Sequence, residues 1–209
     1  MPDSDAADAQ AHDPAATGPI EAADIAIATS MARHRDHPAI RAVGAVSELA
    51  DQPPLIVGTT AAFTLGLATG DRRLAEAGAR GLASVLVATL IKGGIKRMVG
   101  RTRPNVLLEE GDYEVRPLAP NEGPWHSFPS GHTAGATAVA RSVVRVYPEA
   151  RLPAYGAAAA VGLVQLPRGA HYPSDVAAGL AVGFAAEAIV DQLFPSEETL
   201  ERLRAEAGL

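Results

Sequence analysis

From Leu55 to Thr69 the chain runs for fifteen residues without a charge, and apolar runs recur at Gly81–Ile91, Ala154–Leu166 and, with two acids in it, Val176–Phe194. Each is rich in alanine, glycine and leucine and is bounded by proline, glycine or charged residues. Alanine loses no side-chain entropy in a helix, and proline and glycine mark helix starts and stops. The pattern therefore predicts an all-α fold: a bundle of about five core helices packed closely through small side chains.

The expected elements follow from this punctuation. Residues 22–50 carry one or two helices, interrupted at Arg33–His37 and restarted near Pro38; this stretch is too charged to span lipid and either lies on a membrane surface or covers the bundle. Core helices are expected over Leu55–Thr69, Arg72–Val99, Ser130 to before Pro148, Ala154–Leu166 and Val176–Phe194. Residues 104–129, with five prolines, read as one long loop of the kind that usually serves function. Residues 1–20 read as a disordered acidic tail without the basic and apolar regions of a secretory leader. Residues 21–195 form one helical domain, and 196–209 form a charged C-terminal tail.

A membrane span needs roughly 20 apolar residues. Leu55–Thr69 and Ala154–Leu166 fall short, and Val176–Phe194 contains Glu187 and Asp191, so hydropathy leaves both a membrane-embedded and a soluble bundle open. The absence of cysteine excludes disulfides and thiolate metal sites. A formal charge of −6 argues against a nucleic-acid partner.

Three polar clusters sit at the edges of the apolar runs. In Lys96-Arg-Met-Val-Gly-Arg-Thr-Arg103-Pro104, Lys96 and Arg103 are seven apart, which on a helix is about two turns and one direction; the ordinary explanation is a basic helix C-terminus. In Pro129-Ser130-Gly131-His132, a turn opens a helix whose free N–H groups suit an anion, with Ser130 as cap; alone this is an ordinary helix start. In His171-Tyr172-Pro173-Ser174-Asp175, a carboxylate four residues on can reach back to the imidazole, fix its tautomer and free the other nitrogen to attack; alone it is an acid in a first helical turn. If the helices alternate in direction, the three clusters meet at one end of the bundle, as a site for a tetrahedral oxyanion with a nucleophile and a proton donor. His126 is a candidate lining residue and equally a polar loop residue.

In order and spacing, Lys96…Arg103-Pro104, Pro129-Ser130-Gly131-His132 and His171…Asp175 resemble the three signatures of the type 2 phosphatidic acid phosphatase superfamily, over about residues 50–195. That resemblance implies a helical phosphatase without a catalytic metal or cofactor. His171 would be the nucleophile, Asp175 its orienting partner and His132 the general acid, with Lys96, Arg103, Ser130 and the Gly131 backbone holding phosphate. The reaction would pass through a phosphohistidine, and the substrate would be a lipid-linked phosphate monoester or diphosphate. One position departs: the family's arginine six residues before the nucleophile is Gln165 here, and Arg168, one turn on, is expected to take its place.

The resemblance and the loop arginines counted around 70–79 and 145–153, Arg72, Arg73, Arg80, Arg145 and Arg151, together suggest a multi-pass protein of a bacterial-type cell membrane, its site facing outward. The alternatives are a soluble cytoplasmic phosphatase of small esters, a vanadate-dependent haloperoxidase, and a binding bundle that lost catalysis with the change at Gln165.

Overall fold

A computed structural model describes residues 18–118, 123–195 and 204–206. The expected N-terminal tail lies outside them up to residue 17, and Pro19 already opens the first helix. The C-terminal tail also lies outside, save for helical residues 204–206.

The chain builds α1 (Pro19–Ala32), α2 (Pro38–Ser47), a 3-10 turn at Glu48–Ala50, α3 (Gln52–Thr69) and α4 (Arg72–Met98). A short strand β1 (Val99–Arg101), α5 (Pro104–Glu110) and β2 (Val115–Pro117) follow. The chain continues through α6 (Gly131–Val146), α7 (Arg151–Val164) and α8 (Pro173–Leu193). The all-α reading holds, with one small exception: β1 and β2 pair antiparallel, Val99 opposite Pro117 and Arg101 opposite Val115.

Local chemistry explains the boundaries. Asp71 caps α4 by accepting from the Leu74 N–H at 3.0 Å, and His37 caps α2 through Nδ1. Gly70 ends α3 at φ +76°, a left-handed conformation that costs glycine nothing. Pro38, Pro53 and Pro173 fall in first turns, where no N–H is missed. Pro153 also lies in a first turn, so α7 starts two residues earlier than the proline alone suggests.

Helix α6 packs on α4, α7 and α8, and α4 also packs on α3 and α8. Ala88, Ala134, Ala138, Val182 and Ala186 form the dry centre between α4, α6 and α8. The parallel helices α6 and α8 approach until only hydrogen fits between them. A Cβ on Gly179 would lie 2.5 Å from the Ser130 carbonyl oxygen, and one on Gly183 2.6 Å from that of Ala134.

Helices α3, α4, α6, α7 and α8 alternate so that the ends of α4 and α7 meet the starts of α3, α6 and α8. Helix α1 buries Asp24, Ala28 and Ala32, one stripe at four-residue spacing, against α5 and α8. Helix α2 lies on α7. The charged N-terminal stretch thus covers the bundle.

At the opposite end, the acids that interrupt α8 are paired. Glu187 accepts from Arg141 Nε at 2.7 Å and Arg145 Nε at 2.9 Å. Asp191 accepts from Arg80 at 3.1 Å, and Arg80 also binds Glu76 and the Phe194 carbonyl. Arg80 and Arg145 therefore belong to this interior network and not to exposed loops, which corrects the count of loop cations; Arg72, Arg73 and Arg151 remain exposed.

Candidate active site

A cavity of about 340 Å³ opens where the helix ends meet. Lys92, Lys96, Arg103, His126, Gly131, His132, Gln165, Arg168 and His171 line it, with Glu48 and Asp51 on one side. Every first-rank sequence candidate lines it except two. Ser130 is fully buried, and its Oγ caps α6 by accepting from the Thr133 hydroxyl at 3.0 Å and the Thr133 N–H at 3.4 Å. Asp175 is fully buried behind His171.

Lys96 and Arg103 arrive by a different path from the one expected. Helix α4 ends at Met98, because Val99–Arg101 give their backbone hydrogen bonds to β2. Lys96 projects from the last turn of α4 and donates to the His126 carbonyl. Arg103 enters from the cap of α5, with its N–H on the Pro124 carbonyl at 3.1 Å. Its buried Nε has no partner among the described residues. Pro104 opens α5, and the expected long loop is in part ordered by α5 and β2.

The imidazole of His171 is held differently from expectation too. Nδ1 lies 2.7 Å from the Ser127 carbonyl oxygen and 3.7 Å from Asp175 Oδ2, so the backbone carbonyl is the hydrogen-bond partner. A carbonyl can only accept; Nδ1 therefore carries the proton, and in the neutral ring Nε2 keeps its lone pair. Asp175 acts around this contact. It accepts from the Ser127 hydroxyl, from the Tyr172 N–H at 2.8 Å and from Arg101 at 3.0 Å, and its own carbonyl accepts from the Ser130 N–H. Burial, supported by the charges of Arg103 and Lys96, holds the pKa of His171 below the ordinary imidazole value, against the pull of Asp175.

Arg101 joins three segments. It donates to Asp175 of α8, to Asp24 of α1 at 2.7 Å and to Ser174 at 2.7 Å, and it stacks over the Tyr172 ring at 3.8 Å. Asp24 in turn accepts from the Ser174 N–H at the start of α8.

Arg168 projects into the cavity beside Gln165. It donates to Ser47 Oγ at 2.9 Å, Glu48 Oε1 at 2.5 Å and Gln165 Oε1 at 3.4 Å. Gln165, fully buried, spends its amide on Ser47 and the Val161 carbonyl. His132 Nε2 lies 3.5 Å from Glu48 Oε2. Gly131 leaves room for Lys92: a Cβ there would stand 3.1 Å from the ammonium.

Lys92, Glu48, Asp51 and Ser127 were missed as site residues. Lys92 was within reach, one helical turn before Lys96. The other three are ordinary turn residues until folding brings them in.

The family model described as the PAP2 superfamily matches residues 78–197. The lipid A 1-phosphatase of Rhizobium etli is 34% identical over 106 residues, 51% of this chain and 45% of that protein. The decaprenylphosphoryl-5-phosphoribose phosphatase of Mycobacterium tuberculosis is 34% identical over 115 residues, 53% of this chain and 58% of that protein. The chain thus spans about half the length of the curated relatives it matches. Among solved structures, Aquifex aeolicus LpxE superposes with a TM-score of 0.59 at 19% identity, over 80% of this chain and 94% of that one. A transmembrane PAP2-type phosphatidylglycerolphosphate phosphatase from Bacillus subtilis superposes with a TM-score of 0.57 at 22% identity, over 85% and 87%. These two likenesses establish the fold.

Proposed function

The chain belongs to the PAP2 superfamily, and from that premise we propose that it is a metal-independent phosphatase of lipid-linked phosphates that works through a phosphohistidine on His171. The observation that carries this is the His171 imidazole: its Nδ1 is committed to the Ser127 carbonyl, and its ring lines a cavity with Lys92, Lys96, Arg103 and Arg168.

In the first step His171 Nε2 attacks phosphorus while the bond to the leaving oxygen breaks and His132 protonates that oxygen. The Nδ1–H···O=C bond to Ser127 stabilises the positive charge that grows on the ring. In the second step neutral His132 takes a proton from water, the hydroxide oxygen attacks phosphorus, and the electrons of the N–P bond return to Nε2. Lys96, Arg103, Arg168 and the Gly131 N–H neutralise the equatorial oxygens, which carry the transition-state charge. Ser130 serves by capping α6 and aiming that N–H, and Asp175 by fixing Ser127.

The lipid substrate is supported by the named activities of the relatives and by the surface. Helices α4 and α8 are long and apolar enough to cross a membrane. Val57, Leu65, Leu67, Leu90, Leu163 and Leu193 are all more than half exposed, an apolar surface that a bilayer would cover. Arg72, Arg73 and Arg151 at the far end support, by the positive-inside rule, a site on the outer face.

The test is phosphate release in EDTA from a phosphorylated lipid and from a small soluble ester, on protein extracted with detergent. Wild type should release phosphate, faster from the lipid, and acid-labile labelled phosphoenzyme should be trapped. His171→Ala should abolish both signals, and His132→Asn should slow turnover by about 10²–10⁴-fold. Full activity in His171→Ala, or turnover only with added divalent metal, would refute the mechanism. Extraction into buffer without detergent would refute the membrane reading.

A further inference from the structure

We propose that Glu48, on the 3-10 turn between α2 and α3, is a positioning residue for the leaving-group half of the reaction, orienting Arg168 and placing a negative charge beside His132 Nε2. This rests on the phosphatase reading above. Glu48 lies outside the stretch that matches the family, so the family signatures do not assign it.

The geometry has two parts. First, the end of α2 and its cap present Gly44, Ser47 and Glu48 at i, i+3 and i+4, one helical face, and all three meet Arg168. A Cβ on Gly44 would stand 3.0 Å from Arg168 Cδ and Nε, so the glycine admits the flat side of the guanidinium. Ser47 Oγ accepts from one terminal nitrogen at 2.9 Å and Glu48 Oε1 from the other at 2.5 Å. Arg168 is thereby fixed along its length at the wall of the cavity, where Gln165 supplies no charge.

Second, the other oxygen of the same carboxylate, Oε2, lies 3.5 Å from His132 Nε2. A general acid must carry its proton before it can donate it. The titratable groups that line the cavity with His132 are Asp51 after the turn, Lys92 and Lys96 from α4, Arg103 from the start of α5, His126, and Arg168 and His171 after α7. Of the cations Arg168 acts on His132 directly, and like charge disfavours an imidazolium. Glu48, with Asp51 behind it, is the opposing charge. Arg168 and His132 hold Glu48 itself ionised, below the ordinary carboxylate pKa, despite partial burial.

The experiment compares Glu48→Gln and Glu48→Asp with wild type on two phosphate monoesters: an alkyl ester, whose leaving oxygen needs a proton, and p-nitrophenyl phosphate, whose leaving group does not. Glu48→Gln should lower kcat on the alkyl ester by about 10–100-fold and on the aryl ester by a clearly smaller factor, the share that comes from loosening Arg168 alone. It should also move the alkaline limb of the alkyl-ester profile down by about one pH unit, and Glu48→Asp should recover part of the loss. Equal losses on both esters with an unmoved limb, or no loss at all, would overturn the proposal.

A second readout needs no turnover. The titration of the isotope-labelled His132 imidazole, assigned against His132→Asn in micelles, should fall by about one unit in Glu48→Gln. An unchanged midpoint would also overturn the proposal. If the midpoint moves but wild type hydrolyses neither ester, the phosphatase reading fails and the charge coupling stands.

Discussion

At the scale of single residues, the site turns on which group holds the proton of His171. Its Nδ1–H is spent on the Ser127 carbonyl, and burial keeps the ring neutral below the ordinary imidazole pKa. As the proposed nucleophile, His171 should therefore stay competent as pH falls through about 6.5, and the acid limb of kcat/KM should lie below that value. A rate–pH profile with wild type checks this; an acid limb above about 7 would contradict it. Linkage has the same sign: the unfolded chain takes up the proton first, so this group's contribution to stability declines as pH drops below about 6.5. His171 and Asp175 were legible as a pair from their spacing. The partner of Nδ1 was not, because a backbone carbonyl forty-four residues away leaves no mark in side-chain chemistry. Glu48 and Asp51 were hidden for a related reason: only the turn at Glu48–Asp51 between α2 and α3 and the packing of α2 on α7 carry them to the cavity.

At the scale of elements, periodicity and punctuation revealed the core helices, and their ends moved by only a few residues. The departure lay between Met98 and Val115. Val99 and Gly100 are poor helix formers, and the backbone found partners in β2 instead; a strand pairing across more than ten residues has no local signature. Packing between α6 and α8 was legible only as a richness in glycine. Since a Cβ on Gly183 would lie only 2.6 Å from the Ala134 carbonyl oxygen, Gly183→Val should force the helices apart and cost about 1–3 kcal/mol. The unfolding midpoint in detergent measures this. Gly156, with nothing near its missing Cβ, supplies the control: Gly156→Ala should leave that midpoint unchanged or raise it, since alanine favours the helix.

At the scale of the whole molecule, polarity is divided between two ends. One end holds the cationic cavity; the other holds Arg80, Arg141 and Arg145 paired with Glu76, Glu187 and Asp191. Hydropathy counted Glu187 and Asp191 against a membrane span, since single charges are costly in lipid. Their pairing across α4, α6 and α8 removes the objection, and no count along one helix could reveal it. Glu187→Ala strips a carboxylate from two guanidiniums and should cost about 3–5 kcal/mol, while Glu187→Gln, which keeps two hydrogen-bonding atoms, should cost less. Thermal unfolding of both variants ranks them; equal midpoints for wild type and Glu187→Ala would show that the network is mere decoration.

Arg101 makes the boundary of the catalytic unit wider than its signatures. One guanidinium grips Asp24 on α1 and Asp175 on α8, so the opening segment is tied to the scaffold of His171. Sequence drift near the N-terminus is therefore not free to proceed independently of the chemistry. A change that tilts the first helix would pull through that clamp and Asp175 on Ser127, whose carbonyl holds the His171 ring, and so would reach the site with every signature residue untouched.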